Sequence, residues 1–277
     1  IARLDEGMDR WAVGQLAGAV GVLAFHGADG LELRTRFCED LGLGTPTISW
    51  TSTRDRLGDF ASVLAIAATS LQRMAKEIYN LQREEIGELI EASNASTIGS
   101  ITMPHKRNPE NSEQVVALAG LIRSAAGAMT AAMAGDHERD GATWKAEWLL
   151  LPHIGHHMLA SLSLSLALIE GLTVDSDRME ANLHRYGVAD SQELLRRLSL
   201  RLGKHRAQAE LGELYRQARQ SGQPVTELLG EVATDEELLG LDQPALGSGP
   251  AMVDLVIDAA RQRRAALATK SAGSDRR

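Results

Sequence analysis

Phe60-Ala61-Ser62-Val63-Leu64-Ala65-Ile66-Ala67-Ala68-Thr69-Ser70-Leu71-Gln72-Arg73-Met74-Ala75-Lys76-Glu77-Ile78-Tyr79-Asn80-Leu81 is the run that decides the fold. Within it Phe60, Val63, Leu64, Ala67, Leu71, Met74, Ile78 and Leu81 recur every three or four positions, which sets them on one face of a helix. Arg54, Asp55 and Arg56 stand at its start, while Lys76, Glu77, Arg83 and Glu84 fill the opposite face. An apolar stripe this long is unusual in a small domain and ordinary in a long helical bundle.

Downstream, the periodicity stops from Ala92 to Pro109, where Asn, Ser, Thr, Gly and Pro dominate; this predicts a loop, and a mobile one. Asn108-Pro109-Glu110 then reads as a helix start, with Asn as cap, Pro at the first helical position and an acid in the first turn. Val115, Leu118, Ala119, Ile122, Ala126 and Met129 carry that helix onward. A second polar break, Gly135 to Thr143, precedes an apolar helix expected from about Glu147 to Leu168. Upstream, Arg3 to about Gly27 keeps a helical alternation interrupted by Gly14, Gly18 and Gly21, small residues that let another helix approach. Phe37 to Trp50 reads as a helix end followed by the loop Leu41-Gly42-Leu43-Gly44-Thr45-Pro46.

After Thr173-Val174-Asp175 charge density rises and the helices shorten, with turn signals at Ser221-Gly222-Gln223-Pro224 and Asp242-Gln243-Pro244. No run alternates convincingly with period two. The expectation is therefore an all-α chain: a long bundle over residues 1–170, carrying the loop 92–109, then a small helical domain over 171–277. The stretch Thr269 to Arg277 is expected to fray.

Composition agrees. Of 277 residues 44% are hydrophobic but only 4% aromatic, so the apolar mass is small and aliphatic, which suits close-packed helices. The net charge of −8 makes nucleic acid or an anionic membrane a poor partner, and an anionic substrate must be held by a few local cations. Cys38 is the one cysteine, so no intrachain disulfide forms; it is expected as a buried small hydrophobe, in a cytoplasmic, reducing setting. No targeting peptide and no uninterrupted apolar run long enough to span a bilayer is read. The chain starts without Met inside an expected helix, so an N-terminal domain is expected to be missing.

The loop carries the chemistry. Removing a proton next to a carboxylate and expelling a β leaving group builds a carbanion whose charge spreads into the carboxylate. Such a site needs a base at the proton and fixed donors or cations at the carboxylate. Residues 99–109 supply Ser100, Lys106 and Asn108 and lead into a helix N-terminus, which itself favours anions. Serine is a weak base and needs nearby positive charge and backbone donors.

Gly99-Ser100-Ile101-Thr102-Met103-Pro104-His105-Lys106-Arg107-Asn108-Pro109 resembles the signature loop of the fumarase/aspartase superfamily, Gly-Ser-Ser-x-Met-Pro-x-Lys-x-Asn-Pro, with Ile101 in place of the second serine. The resemblance implies that Ser100 is the general base, that Lys106 and Asn108 bind the substrate carboxylate, and that Met103 lines the site. It extends along the chain: Gly18-Ala19-Val20-Gly21 resembles the family's glycine-rich helix motif and Thr53-Arg54-Asp55-Arg56 its Arg-Asp segment. His137-Glu138-Arg139-Asp140 and Asp175-Ser176-Asp177-Arg178-Met179-Glu180-Ala181-Asn182-Leu183 also match. Family membership implies a homotetramer whose active sites combine segments of three subunits, with no cofactor and no metal. It also implies an N-terminal region bearing the acid histidine, so this chain by itself is expected to be inactive.

Within the family, Arg139 is the position that binds a substrate carboxylate or phosphate in several members. Adenylosuccinate lyases resemble one another in placing Ser and Arg just beyond it, where this chain has Trp144 and Trp148. An indole cannot replace a guanidinium fork at a phosphate, so a purine nucleotide is disfavoured. The tryptophans resemble the 3-carboxy-cis,cis-muconate cycloisomerase-like subgroup, which includes nitrosuccinate lyase, and Trp144 is expected as a pocket wall. Muconate enzymes carry His or Gln before the Arg-Asp, where Thr51-Ser52-Thr53 stand here. The expected reaction is β-elimination from a small substituted succinate giving fumarate, with nitrosuccinate as candidate and the muconate reaction as alternative. A non-catalytic helical scaffold is the reading from another class, and retention of Ser100, Lys106 and Asn108 argues against it. His153, His156 and His157 have a spacing compatible with metal binding, but no third-ligand pattern accompanies them, and a packed polar interface is expected.

Overall fold

A computed structural model describes residues 2–92, 103, 108–184, 191–241 and 246–274. They form α1 (Ala2–Trp11), α2 (Gly30–Asp40), α3 (Asp55–Leu81), β1 (Leu89–Ile90), α4 (Glu110–Ala132), α5 (Gly141–Glu170), β2 (Thr173–Val174), α6 (Ser176–His184), α7 (Ser191–Leu202), α8 (Lys204–Ser221), α9 (Val225–Leu228), α10 (Asp235–Leu238) and α11 (Gly249–Ser274). Among the described residues the fold is all-α apart from one two-residue antiparallel pairing, Leu89 with Val174 and Ile90 with Thr173, and an isolated bridge between Val13 and Gly44. Two residues per strand are too few to leave an alternating signature in sequence. The chain divides into two compact units, Ile1–Ser176 and Asp177–Arg277.

In the first unit α3, α4 and α5 pack side by side. Ala61, Leu64 and Ala68 of α3, Ala119, Ile122, Ala126 and Met129 of α4, and Ile154 and Met158 of α5 form its core. The α4 positions are those the three-and-four spacing selects. In α3 the buried face is centred on Ala61, Leu64 and Ala68, one position round from the expected stripe, whose Phe60, Ala67 and Leu71 pack beside it only partly buried. Gly58, near the start of α3, lies so close to Met133 beyond the end of α4 that an added Cβ would meet its sulfur at 2.3 Å; the two helices are antiparallel. By length and composition α4 is apolar enough to cross a membrane. That apolarity belongs to the central helix of a bundle, since Val115, Ala119, Ile122 and Met129 are fully buried against its neighbours.

Three expectations are corrected. The helix expected from Arg3 to Gly27 ends at Trp11. Gly18 (φ 74°) and Gly21 (φ 86°) lie in the left-handed region and turn the chain rather than continue it. Gly14 does permit a close approach, but to a side chain: an added Cβ would sit 2.5 Å from Cys38 Sγ, and Cys38 is fully buried. Second, α5 begins at Gly141, not near Glu147, because the Asp140 carboxylate accepts from Ala142 N at 2.8 Å and caps it. Both Trp144 and Trp148 are therefore helical. Third, α4 begins at Glu110 with Pro109 as its cap residue and no capping side chain from Asn108. Its first-turn amides bind the carboxylate of Glu91 instead: Asn111 N donates at 3.0 Å, Ser112 N at 3.3 Å and Ser112 Oγ at 2.7 Å. A helix end expected to attract a substrate anion already holds one from its own chain.

In the second unit α7 and α8 pair around Leu194, Leu198, Ala207, Leu211 and Leu214, with Val225 and Leu229 closing the cluster. Gly222 ends α8 in the left-handed conformation (φ 75°), its N–H donating to Ala218 O, just where the Ser-Gly-Gln-Pro turn is read. The Asp242–Pro244 turn lies outside the described residues. α11 continues to Ser274, where a frayed end is expected.

Candidate active site

The start of the loop 12–23 is tied down by hydrogen bonds. Gly14 N donates to Gly44 O at 2.9 Å, Gly44 N to Ala12 O at 2.8 Å, and Trp50 Nε1 to Gly14 O at 3.0 Å. Between this loop, the start of α3 and the turn into α5 lies a cavity of about 300 Å3, lined among others by Gln15, Gly18, Thr51, Ser52, His137, Arg139 and Trp144. That volume suits a small polar metabolite.

Its floor is an ion pair. Arg54, the residue before α3, sends Nε to Glu147 Oε1 at 2.6 Å and Nη2 to Glu147 Oε2 at 2.5 Å, and both side chains are nearly buried (12% and 3% exposed). The fork-on-carboxylate arrangement is bidentate, the strong form of such a bond. The Arg54 guanidinium also lies 5.3 Å from the Trp50 ring centre. Glu147 is six residues inside α5, so the pair bolts the start of α3 to the first turns of α5.

Arg139 forms the rim. It donates from Nη2 to Gly18 O at 3.2 Å and lies 5.2 Å from the ring centre of Trp144, which meets Trp148 edge to face at 5.1 Å. His137 beside it has φ 56°, a left-handed conformation uncommon for a non-glycine residue. Asp140 is held below the usual carboxylate range, first by the Ala142 backbone N–H and with further backbone donation from Asp136 and Thr143 against partial desolvation. Two guanidinium groups (Arg54, Arg139) thus face three carboxylates (Asp136, Asp140, Glu147) in the lining, and Arg54 is committed to Glu147. This wall carries no surplus of positive charge, and a dicarboxylate bound against it needs a cation from elsewhere.

The cavity brings together Arg139 and Trp144 of the residues singled out in sequence. Ser100 and Lys106 lie outside the described residues. Met103 and Asn108 are exposed and are not among the described lining residues; Asn108 O accepts from Glu110 N at 2.9 Å. Trp148 supports Trp144 and is itself half-exposed. Glu147, Gln15 and His137 were not picked out individually by sequence reasoning. Nothing local marks Glu147, which is 2% exposed although its α5 neighbours Trp144 and Trp148 are exposed. The histidines of α5 stand apart: His153 and His157 meet edge to face at 3.9 Å, and burial, then charge on His153 and His156, pushes the His157 imidazole down. Among the described residues no group of three or more His, Cys, Asp or Glu is arranged to hold a metal.

A family model described as "Lyase" matches residues 1–123. The chain is 35% identical to N-acetyl-S-(2-succino)cysteine lyase of Dickeya dadantii over 93% of its length and 59% of the relative's. It is 36% identical to 3-carboxy-cis,cis-muconate cycloisomerase of Pseudomonas aeruginosa (91% and 57%) and 34% identical to nitrosuccinate lyase of Streptomyces davaonensis (88% and 55%). Among solved structures, it superposes on the 3-carboxy-cis,cis-muconate lactonizing enzyme of Pseudomonas putida with TM-score 0.80 at 32% identity, and on a fumarate lyase of Mesorhizobium sp. BNC1 with TM-score 0.81 at 31%. Each superposition covers 93% of this chain and 59% of the other. The chain thus spans somewhat over half the length of the curated relatives it matches. From the signature run at 99–109, the helical architecture and these likenesses together, the chain belongs to the fumarase/aspartase superfamily.

Proposed function

We propose that this protein is a lyase that removes a group β to a carboxylate from a small 2-substituted succinate, giving fumarate. The base takes a proton from the CH2 carbon, whose electron pair forms the new double bond as the bond from the neighbouring carbon to the leaving group breaks. The leaving group departs with its electron pair, as nitrite from nitrosuccinate or as a thiolate from a succinylated thiol. Ser100 is the general base in this reading, Lys106 and Asn108 hold the carboxylate next to the carbanion, and Met103 lines the site. Arg139, stacked on Trp144, takes the second carboxylate. Stabilising charge that develops only in the transition state accounts for most of such a rate gain.

The single observation that carries this reading is the run Gly99–Pro109, which keeps the base and both carboxylate ligands of the superfamily signature. Arg139 supports it, since its guanidinium lines the cavity and can meet a carboxylate there, whereas Arg54 is committed to Glu147. Two relatives above 30% identity are named for 2-substituted succinates, one with a sulfur and one with a nitrogen leaving group. The second reading, 3-carboxy-cis,cis-muconate cycloisomerisation, is favoured by the 36% identity to the Pseudomonas aeruginosa enzyme and passes through a similar enolate-like intermediate. We further propose a homotetramer with shared sites. Leu159, Leu162, Leu166 and Ile169 form an exposed apolar stripe along α5, the kind of face a helix buries against another subunit.

The test is product identification after incubating the protein, as it is made in the cell, with N-acetyl-S-(2-succino)cysteine, nitrosuccinate and 3-carboxymuconate. Fumarate with N-acetylcysteine or with nitrite supports the elimination and names the leaving group. A lactone selects the cycloisomerase instead.

A further inference from the structure

Ser100, Lys106 and Asn108 belong to the stretch that joins β1 to α4, so their placement depends on what anchors its two ends. At the β1 end, strand pairing fixes Leu89 and Ile90, and the Glu91 N–H donates to Gln82 Oε1 at 3.0 Å at the close of α3. Ala92 rests against Gly171 at the end of α5, where an added Cβ would meet Ala92 Cβ at 2.6 Å. At the α4 end, the first turn has free amides and no capping side chain from Asn108 or Pro109. Glu91 reaches across and takes them, Oε1 from Asn111 N and Oε2 from both Ser112 N and Ser112 Oγ.

Glu91 is buried and Ser112 fully so. A buried carboxylate is expensive unless fully bonded, and here three donors and the positive end of α4 compensate it. Glu91 lies where the end of α3, β1 and the start of α4 meet.

We propose that Glu91 is a positioning residue: its carboxylate clasps the first turn of α4, holds the two ends of the Ser100-bearing stretch at a fixed separation, and so sets where base and carboxylate ligands meet the substrate. It touches no substrate itself. The inference rests on the elimination chemistry proposed above for the role of Ser100, but the clasp can be tested apart from it.

The test compares wild type with Glu91→Gln and Ser112→Ala by hydrogen exchange of individual amides and by steady-state kinetics with N-acetyl-S-(2-succino)cysteine and nitrosuccinate. In wild type the Asn111 and Ser112 amides exchange slowly, although first-turn amides are normally unprotected. In Glu91→Gln they exchange fast, and kcat per folded molecule falls by about tenfold or more with KM little changed, as loss of a charge-assisted bond implies. Ser112→Ala, which keeps the carboxylate and both amides, shifts both readouts the same way by less. Unprotected Asn111 and Ser112 amides in wild type overturn the clasp. Freed amides in Glu91→Gln with unchanged kcat overturn the positioning role. Should Ser100→Ala remain active, the elimination reading fails while the amide protection still stands or falls alone.

Discussion

Glu147 concentrates the energetic argument at the level of single residues. Its carboxylate is among the most enclosed charges of the first unit, and its partner Arg54 is held by nothing stronger. Removing one member of such a pair strands the other in a medium that solvates it badly. Glu147→Ala should therefore lower stability by about 3–5 kcal/mol, measured by urea unfolding, whereas Arg54→Met with Glu147→Leu should recover most of that loss. If the single and double variants were equally unstable, the pair would be contributing packing rather than charge compensation. Function should follow the same geometry, because Glu147 and Arg54 form the floor on which Arg139 and Trp144 stand.

At the scale of elements, two further outcomes follow from contacts already described. Gly14→Ala drives a Cβ into Cys38 Sγ and should destabilise by about 1–3 kcal/mol. Adding Cys38→Ala removes the obstructing sulfur, so the double variant should be more stable than the sum of the single effects, a coupling that a double-mutant cycle reads directly. In the second unit, Glu193 is held down to about 2 by hydrogen bonds from Arg196 and then Arg197, and Glu237 to about 2 by Arg201 and the Thr234 N–H. A depressed carboxylate contributes stability that is present above its ordinary value, 4.5, and lost as pH falls towards 2. Acid unfolding of this unit should therefore fall in that window, and Glu193→Gln should flatten its pH dependence; both carboxylates are partly exposed and Arg196 and Arg201 more so, so solvent screening keeps the effect small.

These elements also mark where sequence stops being legible. α3 and α4 are legible as helices because apolar residues recur along them every three or four positions, although in α3 the small Ala61 and Ala68, not the larger neighbours, sit deepest. The segment from Ala12 to Leu23 misleads because glycine spacing does not distinguish a helix that others approach from a chain that turns at positive φ. The start of α5 is hidden because Gly135 to Thr143 is polar and glycine-bearing, yet the capping bond from Asp140 begins the helix at Gly141. The Glu91 cap is invisible locally, since donor and acceptor lie 20 and 21 residues apart in the chain. At the candidate site Arg139 and Trp144 were legible from the motif, while Glu147 was not, because its partner comes from the beginning of another helix.

For the molecule as a whole, the distribution of exposed apolar residues is the informative feature. α5 buries one face in its own unit and still presents Leu159, Leu162, Leu166 and Ile169 to solvent, so the helix is apolar round much of its circumference. A helix of that kind belongs inside a larger assembly. Sedimentation of the intact protein should report a tetramer, and Leu162→Glu with Leu166→Glu should dissociate it and abolish turnover while leaving helical content intact. A catalytically active monomer would remove the shared-site proposal.

The central claim is that Ser100 withdraws the proton that starts the elimination. The direct measurement is turnover by Ser100→Ala of whichever succinate derivative the wild-type protein consumes, with binding measured alongside. The account predicts that kcat falls by about 10²–10⁴-fold, the range that a positioned base supplies, while substrate still binds. Turnover near the wild-type level would contradict it.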